Sequence, residues 1–251
     1  MEATLSKQVN NDIYHHLGER WYTAKDDPVA LLRAESRARN PWVISEIRTA
    51  FPTGKVRVLD LGCGAGFLTN ELARQGIDVV GFDASAESLG VARLHDATAR
   101  AQYQQGDANH LPFANESFEV VCAMDFLEHV EQPPQIIAAA ARVLKPGGMF
   151  FFHTFNRNWG AWLFGIKGVE WFVRNTPNDL HVYRLFIKPT ELQQYCAQAG
   201  MRMTSLQGLA PVIAKRAFWK MVATGIVDDD FQFEFTRSPW LGYIGYAVKI
   251  A

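Results

Sequence analysis

Short apolar runs and longer amphipathic stretches alternate along the chain from Val56 onward. VRVLDLG (56–62) reads as a strand, and FLTNELARQG (67–76) sets Leu68, Leu72 and Ala73 on one helical face before Gly76 stops it. DVVGFD (78–83) predicts a second strand and ESLGVARLHDATA (87–99) a second helix. AQYQQGD (101–107) and FEVVCAMD (118–125) predict two more strands, PQIIAAAARVLKPGG (134–148) a helix with a Pro-Gly-Gly stop, and MFFFHTF (149–155) a fifth strand. Strands spaced by single helices, and apolar almost without a break, belong to a parallel sheet covered on both faces. The expected fold is α/β, a doubly wound, mostly parallel Rossmann-like sheet. Such sheets bind ligands beyond the carboxyl ends of the strands, where the strand order reverses. Asp60, Asp83, Asp107 and Asp125 all fall at or near those ends.

The flanks have a different texture. Residues 1–54 predict an amphipathic helical cap over the site, with Leu31, Leu32, Trp42, Val43 and Ile47 as its apolar positions. Residues 55–155 form the core, and 156–251 a substrate-side insertion and the completion of the sheet, all within one domain. In the insertion, WGAWLFGIKGVEWFV (159–173) is an aromatic-rich helical segment. Trp159, Trp162, Leu163, Ile166 and Val173 fall near one face of it, and Lys167, Glu170 and Arg174 share another. IKPTELQQYCAQAG (187–200) starts a helix at Pro189 and ends it at Gly200, and LGYIGYAVKI (241–250) is a late strand.

Composition narrows the function classes. A chain of 251 residues with 48% apolar composition buries a large core. With 25 Lys+Arg against 26 Asp+Glu and no dense basic block, nucleic acid is not an expected partner. Cys63, Cys122 and Cys196 are odd in number and form no CxxC, which fits a reduced, cytoplasmic setting. No signal-like apolar stretch opens the chain, and no window approaches the roughly 18 apolar residues of a membrane span.

The chemistry begins at VLDLGCGAGF (58–67). A dinucleotide fingerprint would need a third glycine where Phe67 stands, and the Gly-Lys-Ser/Thr ending of a triphosphate loop is absent. What remains is D-x-G-x-G-x-G. An acid two residues before the first glycine repels a pyrophosphate but accepts hydrogen bonds from an ammonium, directly or through water. Asp60 is the candidate. Gly62, Gly64 and Gly66 let the backbone approach a ligand, and the following helix N-terminus favours a carboxylate. Asp83 is placed for two ribose hydroxyls and Asp107 for an adenine amino group; Cys63, Ala84 and Ala108 complete the candidate cofactor set. Ammonium, ribose and adenine together describe S-adenosylmethionine. The plainer alternative is that these acids only end strands and cap helices.

After the fourth strand comes MDFLEHV (124–130). It lacks the Asn/Asp-Pro-Pro-Tyr/Phe of nucleic-acid N-methyltransferases and carries D-x-x-E-H instead. On a helix, Asp125, Glu128 and His129 lie on one side, and two carboxylates with an imidazole suit Mg²⁺ or a similar divalent cation. Such an ion would bind a catechol and lower the pKa of its hydroxyl. From spacing alone the better reading is a capping Asp125 with Glu128 and His129 solvated or satisfied in the core. His153, His181 and Arg157 are further pocket candidates.

GDANHLPFANESFEVV and LKPGG, with the glycine loop, resemble class I S-adenosylmethionine-dependent methyltransferases over residues 55–155. CAMDFLEHVEQP, LKPGG, FHTFNRN, AWLFGIKGVEW and HVYRLFIKPTEL, taken in order, resemble the O-methyltransferases of ubiquinone biosynthesis over about residues 15–209. The resemblance implies methyl transfer to polyprenyl catechols and demethylubiquinol, with Gly62, Asp83 and Met124 in the cofactor site. It implies a divalent ion on Asp125, Glu128 and His129, with Asp125 standing where the family has Glu. It also implies an arginine just after an Asn-Pro pair, a place held here by Val43, so that Arg37 or Arg39 would have to substitute. Finally it implies peripheral contact with the inner face of a membrane through 159–173. Without a metal, His129 would be the general base. Rival readings are a methyltransferase for another small molecule and a non-catalytic S-adenosylmethionine-binding protein, which would lose nothing on Asp125→Ala.

Overall fold

In the computed structural model, which describes residues 14, 16–52, 55–177 and 180–250, the five apolar runs of the core become β1 (Arg57–Leu61), β2 (Asp78–Asp83), β3 (Gln102–Gln105), β4 (Phe118–Met124) and β5 (Leu144–Phe155). They pair in parallel in the order β3-β2-β1-β4-β5. The order reverses at β1, which lies between β2 and β4, so the switch point faces the carboxyl end of β1. Three antiparallel strands extend the sheet: β6 (Met201–Pro211), β7 (Phe233–Thr236) and β8 (Gly242–Lys249). β8 is the expected late strand and slots between β5 and β6, leaving β7 at the edge.

Alternation along the buried strands feeds two cores, one on each face of the sheet. On one face Val58, Val79, Val120, Cys122 and Phe151 meet Val43, Ile44 and Ile47 of α2 (Val29–Ala50) and Leu68 and Leu72 of α3 (Phe67–Arg74). On the other, Leu59, Val80, Val121, Phe150 and Phe152 meet Ile136, Ile137 and Ala140 of α5 (Pro133–Val143), and Leu192 and Cys196 of α8 (Pro189–Gln198). Pro189 stands at the first helical position of α8, where a missing N–H costs nothing, and the Glu191 carboxylate accepts the Lys188 N–H at 3.0 Å.

The expected helix over 134–148 ends at Val143. Pro146 has no N–H to continue it and Gly147 turns the chain at φ +76°, so Leu144 already pairs with Phe118 before a register shift brings Met149 opposite Val120. Before the sheet, α1 (Arg20–Thr23) and α2 carry the cap, and α4 (Ala86–Leu94) follows β2. After β5, α6 (Trp159–Ala161) runs through a π-helical turn (Trp162–Lys167) into α7 (Gly168–Phe172), and α9 (Arg216–Thr224) follows β6. The aromatic face expected here splits. Ile166 and Val173 are buried, whereas Trp159 is 67% and Trp162 42% exposed. Among the described residues no helix is long and apolar enough to cross a membrane.

Candidate active site

β1 ends in the glycine loop at the switch point. Gly62 N donates to Phe82 O at 2.8 Å, which ties the loop to the end of β2, and Gly64 N donates to Asp83 Oδ2 at 2.8 Å. Gly62 has φ +66°, and a Cβ there would lie 2.3 Å from the Phe126 ring. The position therefore requires glycine for backbone conformation and for the close approach of Phe126. Asp83 Oδ1 accepts the Ser85 N–H at 2.8 Å, while Ser85 Oγ accepts the Ser88 N–H at 3.1 Å and caps α4. The Asp83 carboxylate is thereby fixed in orientation by two backbone donors, one from each neighbouring loop. At the end of β3, Gly106 N donates to Asp83 O at 3.0 Å, and Asp107, exposed at the rim, accepts the Asn109 N–H at 2.9 Å.

These loops surround a cavity of about 630 Å³, within the range of small-molecule sites. Of the candidate cofactor residues, Gly62, Cys63, Gly64, Asp83, Ala84, Asp107, Ala108 and Met124 line it. Asp60 and Gly66 do not. Asp60 lies beneath the loop, 3% exposed, accepting a 2.6 Å hydrogen bond from Thr69 Oγ1; burial pushes its carboxyl up to about 6, against the lowering effect of Thr69 and Arg39. Gly66, at φ +79°, is the N-cap of α3, and a Cβ there would meet the Tyr103 hydroxyl at 2.6 Å. Its glycine serves the packing of the loop. From the cap, Tyr14, Trp21 and Leu32 close the cavity, with the Tyr14 and Trp21 rings stacked at 5.4 Å. Sequence reasoning placed a cap here and named Leu32 among its apolar positions but did not single out Tyr14 or Trp21. Phe126, which also lines the cavity, was missed as well.

The acid-rich segment after β4 takes a different form from the expected helix. Asp125 has φ +52°, and only a 3₁₀ turn, Leu127–His129, follows it. The three candidate metal ligands consequently diverge. Asp125 turns to Arg39 and His153: Arg39 Nη1 pairs with Oδ2, and His153 Nδ1 donates to Oδ1. The two partners also lie close, with Arg39 Nη1 at 3.0 Å from His153 Nδ1. Burial works to raise the Asp125 carboxyl, but Arg39 and His153 overcome it and hold the group well below the usual carboxylate range. Glu128 points the other way, accepting from Thr154 Oγ1 at 2.8 Å, and burial and Asp125 push it up to about 8. His129 lies at the cavity wall, its ring 5.8 Å from Tyr14 and 5.6 Å from His181; burial pushes it down to about 4, with Asp125 opposing. Asp125 and His129 line the cavity and Glu128 does not. Among the described residues, the trio whose ligand atoms all lie within 4.8 Å of one another is Glu35, Asp125 and His153.

Arg39 thus sits under the site, 4% exposed, while Arg37 turns to the surface and donates to Asp229 O and Phe231 O. Its sequence signal was available: Glu35, Arg39, Val43 and Ile47 fall at four-residue steps on the buried stripe of α2, where a charge needs a partner. Arg157 pairs with Glu191 at the start of α8, and neither it, His153 nor His181 lines the cavity.

Comparison with known proteins gives concordant results. A profile described as a methyltransferase domain matches residues 59–152. A protein of Aromatoleum aromaticum named ubiquinone biosynthesis O-methyltransferase is 38% identical, over 78% of this chain and 83% of its own length. One of the same name from Aliivibrio fischeri is 40% identical over 82% and 89%. Among solved structures, a putative methyltransferase of Bacillus halodurans superposes with TM-score 0.60 at 22% identity, covering 83% of this chain and 99% of that one. The magnesium protoporphyrin IX methyltransferase of Synechocystis, with bound SAH, gives 0.59 at 16% identity, covering 97% and 89%. At such identities the superpositions speak to the fold.

Proposed function

Because this chain belongs to the family of ubiquinone biosynthesis O-methyltransferases, we propose that its cavity transfers the methyl group of S-adenosylmethionine to a phenolic or catechol oxygen of a quinone precursor. The observation that carries this reading is the cavity at the switch point, where the glycine loop, Asp83 and the residues after β4 converge. The chain is an S-adenosylmethionine-dependent enzyme, and the cradle suits that molecule. Gly62 and Gly64 offer a backbone that ligand atoms can approach, Asp83 is a pre-oriented acceptor for ribose hydroxyls, and Gly106, Asp107 and Ala108 border the base. Bound there, the molecule supplies a methyl group on a sulfonium, which leaves as a neutral thioether when the acceptor oxygen attaches.

The chain's own part is alignment and proton removal. His129, neutral at physiological pH, accepts the phenolic proton, and the Asp125 carboxylate nearby favours the imidazolium that results. Tyr14 and Trp21 keep water from the reacting atoms. Asp60 acts through the loop, placing negative charge below an ammonium and a sulfonium. No step passes through a divalent ion, since both Asp125 oxygens are already engaged, one by the Arg39 guanidinium and the other by the His153 imidazole.

A lipid-tailed acceptor needs a route from a bilayer. Trp159, Phe164 and Trp240 form an exposed aromatic cluster, with the Trp240 ring packed on Trp159 at 5.7 Å and on Phe164 at 5.8 Å, and Trp162 and Trp171 of the same segment are exposed as well. No residue of 159–173 lines the cavity, which supports a docking role for the segment over a lid. Such a surface inserts at the interface by apolar burial. In this reading the enzyme works at the inner face of a membrane, and Cys63, Cys122 and Cys196, all buried and unpaired, are compatible with a reducing compartment. The test is transfer of labelled methyl to a short-tailed prenyl catechol, with the product identified as a methyl ether by mass spectrometry. Flotation with vesicles, comparing Trp159→Ser/Trp171→Ser with wild type, tests the surface. Cofactor binding without transfer to any phenol would refute the acceptor class, and equal flotation would refute the docking role.

A further inference from the structure

The buried charges beneath Asp125 depart from what the family resemblance leads one to expect of a metal site. Glu35 and Arg39 stand four residues apart on α2 and are 6% and 4% exposed; Asp125 and His153 come from the ends of β4 and β5. Arg39 Nη1 pairs with Asp125 Oδ2 and reaches to 3.0 Å from His153 Nδ1, while His153 holds the other Asp125 oxygen. Of the two carboxylates and one imidazole that together satisfy the distances for a metal site, Asp125 and His153 therefore already hold a guanidinium. A divalent cation on Asp125 would have to displace Arg39 or share its carboxylate with a fixed positive charge, in a place where water screens neither. Glu128, the second carboxylate of the expected set, is turned away to Thr154.

We propose that the Arg39 guanidinium takes the place of the divalent cation in this chain: it neutralises and positions Asp125 at the cavity wall, and methyl transfer proceeds without a bound metal. Arg39 does not touch the cavity, so it acts as a positioning residue through Asp125. The inference rests on the methyltransferase reading for its consequence in turnover, but the occupancy of the cluster is a separate matter and is measured separately. The shorter Asp in place of the family's Glu agrees with it, because the carboxylate is drawn back to α2 and away from Glu128.

The experiment titrates Mn²⁺ into chelator-treated, full-length wild type, Arg39→Met and Arg39→Lys, following free Mn²⁺ by electron paramagnetic resonance. Methyl transfer to a short-tailed prenyl catechol is assayed in parallel with and without the chelator. Wild type and Arg39→Lys should bind no Mn²⁺ stoichiometrically, and wild-type turnover should change by less than about twofold on chelation. Arg39→Met should uncover Glu35, Asp125 and His153, bind Mn²⁺ at one per chain, and lose about tenfold in kcat, with Arg39→Lys retaining most of it. Stoichiometric Mn²⁺ binding by wild type, or turnover that the chelator abolishes, would overturn the proposal. So would an Arg39→Met enzyme that folds and works as wild type does. If no phenol is methylated by any form, the methyltransferase reading of the acceptor fails, while the wild-type Mn²⁺ titration still decides who occupies the cluster. If Arg39→Met does not fold, wild type and Arg39→Lys decide it.

Discussion

Asp60→Asn separates the stability of the fold from the charge placed under the cofactor loop. In the folded chain the Asp60 carboxyl is raised from 3.8 to about 6, chiefly by burial, against the hydrogen bond it accepts from Thr69 Oγ1 at 2.6 Å. A raised acid binds its proton more tightly when folded, so between those two values the folded state holds more protons than the unfolded one. Stability contributed by this group therefore falls as pH rises through that window and is flat above it. Two pH units at 1.36 kcal/mol each amount to about 3 kcal/mol, an upper figure because the loop relaxes. An asparagine carries no charge and its Oδ1 still accepts from Thr69. Without cofactor, Asp60→Asn should be more stable than wild type by about 2–3 kcal/mol at pH 7.5, with the gain shrinking below about 1 kcal/mol at pH 4.5. Urea unfolding followed by tryptophan fluorescence measures both. Affinity for S-adenosylmethionine should move the other way, weakening about tenfold by loss of an attractive charge. A variant destabilised at pH 7.5, or a gain that does not depend on pH, would show that Asp60 is ionised without cost in the native fold and that the burial argument is wrong.

Gly62→Ala should abolish cofactor binding and destabilise the chain by more than the ~1–2 kcal/mol of a left-handed alanine, because its Cβ would meet the Phe126 ring at 2.3 Å; calorimetric titration and thermal melts read the two effects. Asp83→Ala removes the acceptor for both Gly64 N–H and Ser85 N–H, so it should cost about 1–3 kcal/mol in stability and weaken S-adenosylmethionine more than it slows transfer at saturation, which a KM-against-kcat comparison checks. His129→Ala should lower kcat by about 10²–10⁴ with cofactor affinity unchanged. In wild type kcat should hold on acidification until the pH nears 5, because burial keeps the imidazole neutral down to about 4; a decline centred near the ordinary histidine value would argue against it.

What could be read from the sequence follows from where each signal is stored. β1, β4 and β5 are buried on both faces and so appear as continuous apolar runs. β6 alternates half-buried and exposed positions over much of its length, and β7 is a four-residue edge, so neither stands out from the loops around it. The glycine loop was legible for a similar reason, since its chemistry lies within ten consecutive residues. Asp125, Glu128 and His129 were not, because their spacing converges only on an α-helix. A single left-handed residue at Asp125, followed by a 3₁₀ turn, sends the three side chains to Arg39, to Thr154 and to the cavity wall. Arg39 and His153 are 114 residues apart, and no local periodicity couples them. Yet each half of the pairing left a trace: a guanidinium on the buried stripe of α2, and a carboxylate one methylene shorter than the resemblance leads one to expect. A buried charge is stable only with a partner, and a shortened acid reaches a different neighbour. Taken together the two departures point to each other, and the fold supplies what the sequence lacks, the proximity of α2 to the ends of β4 and β5.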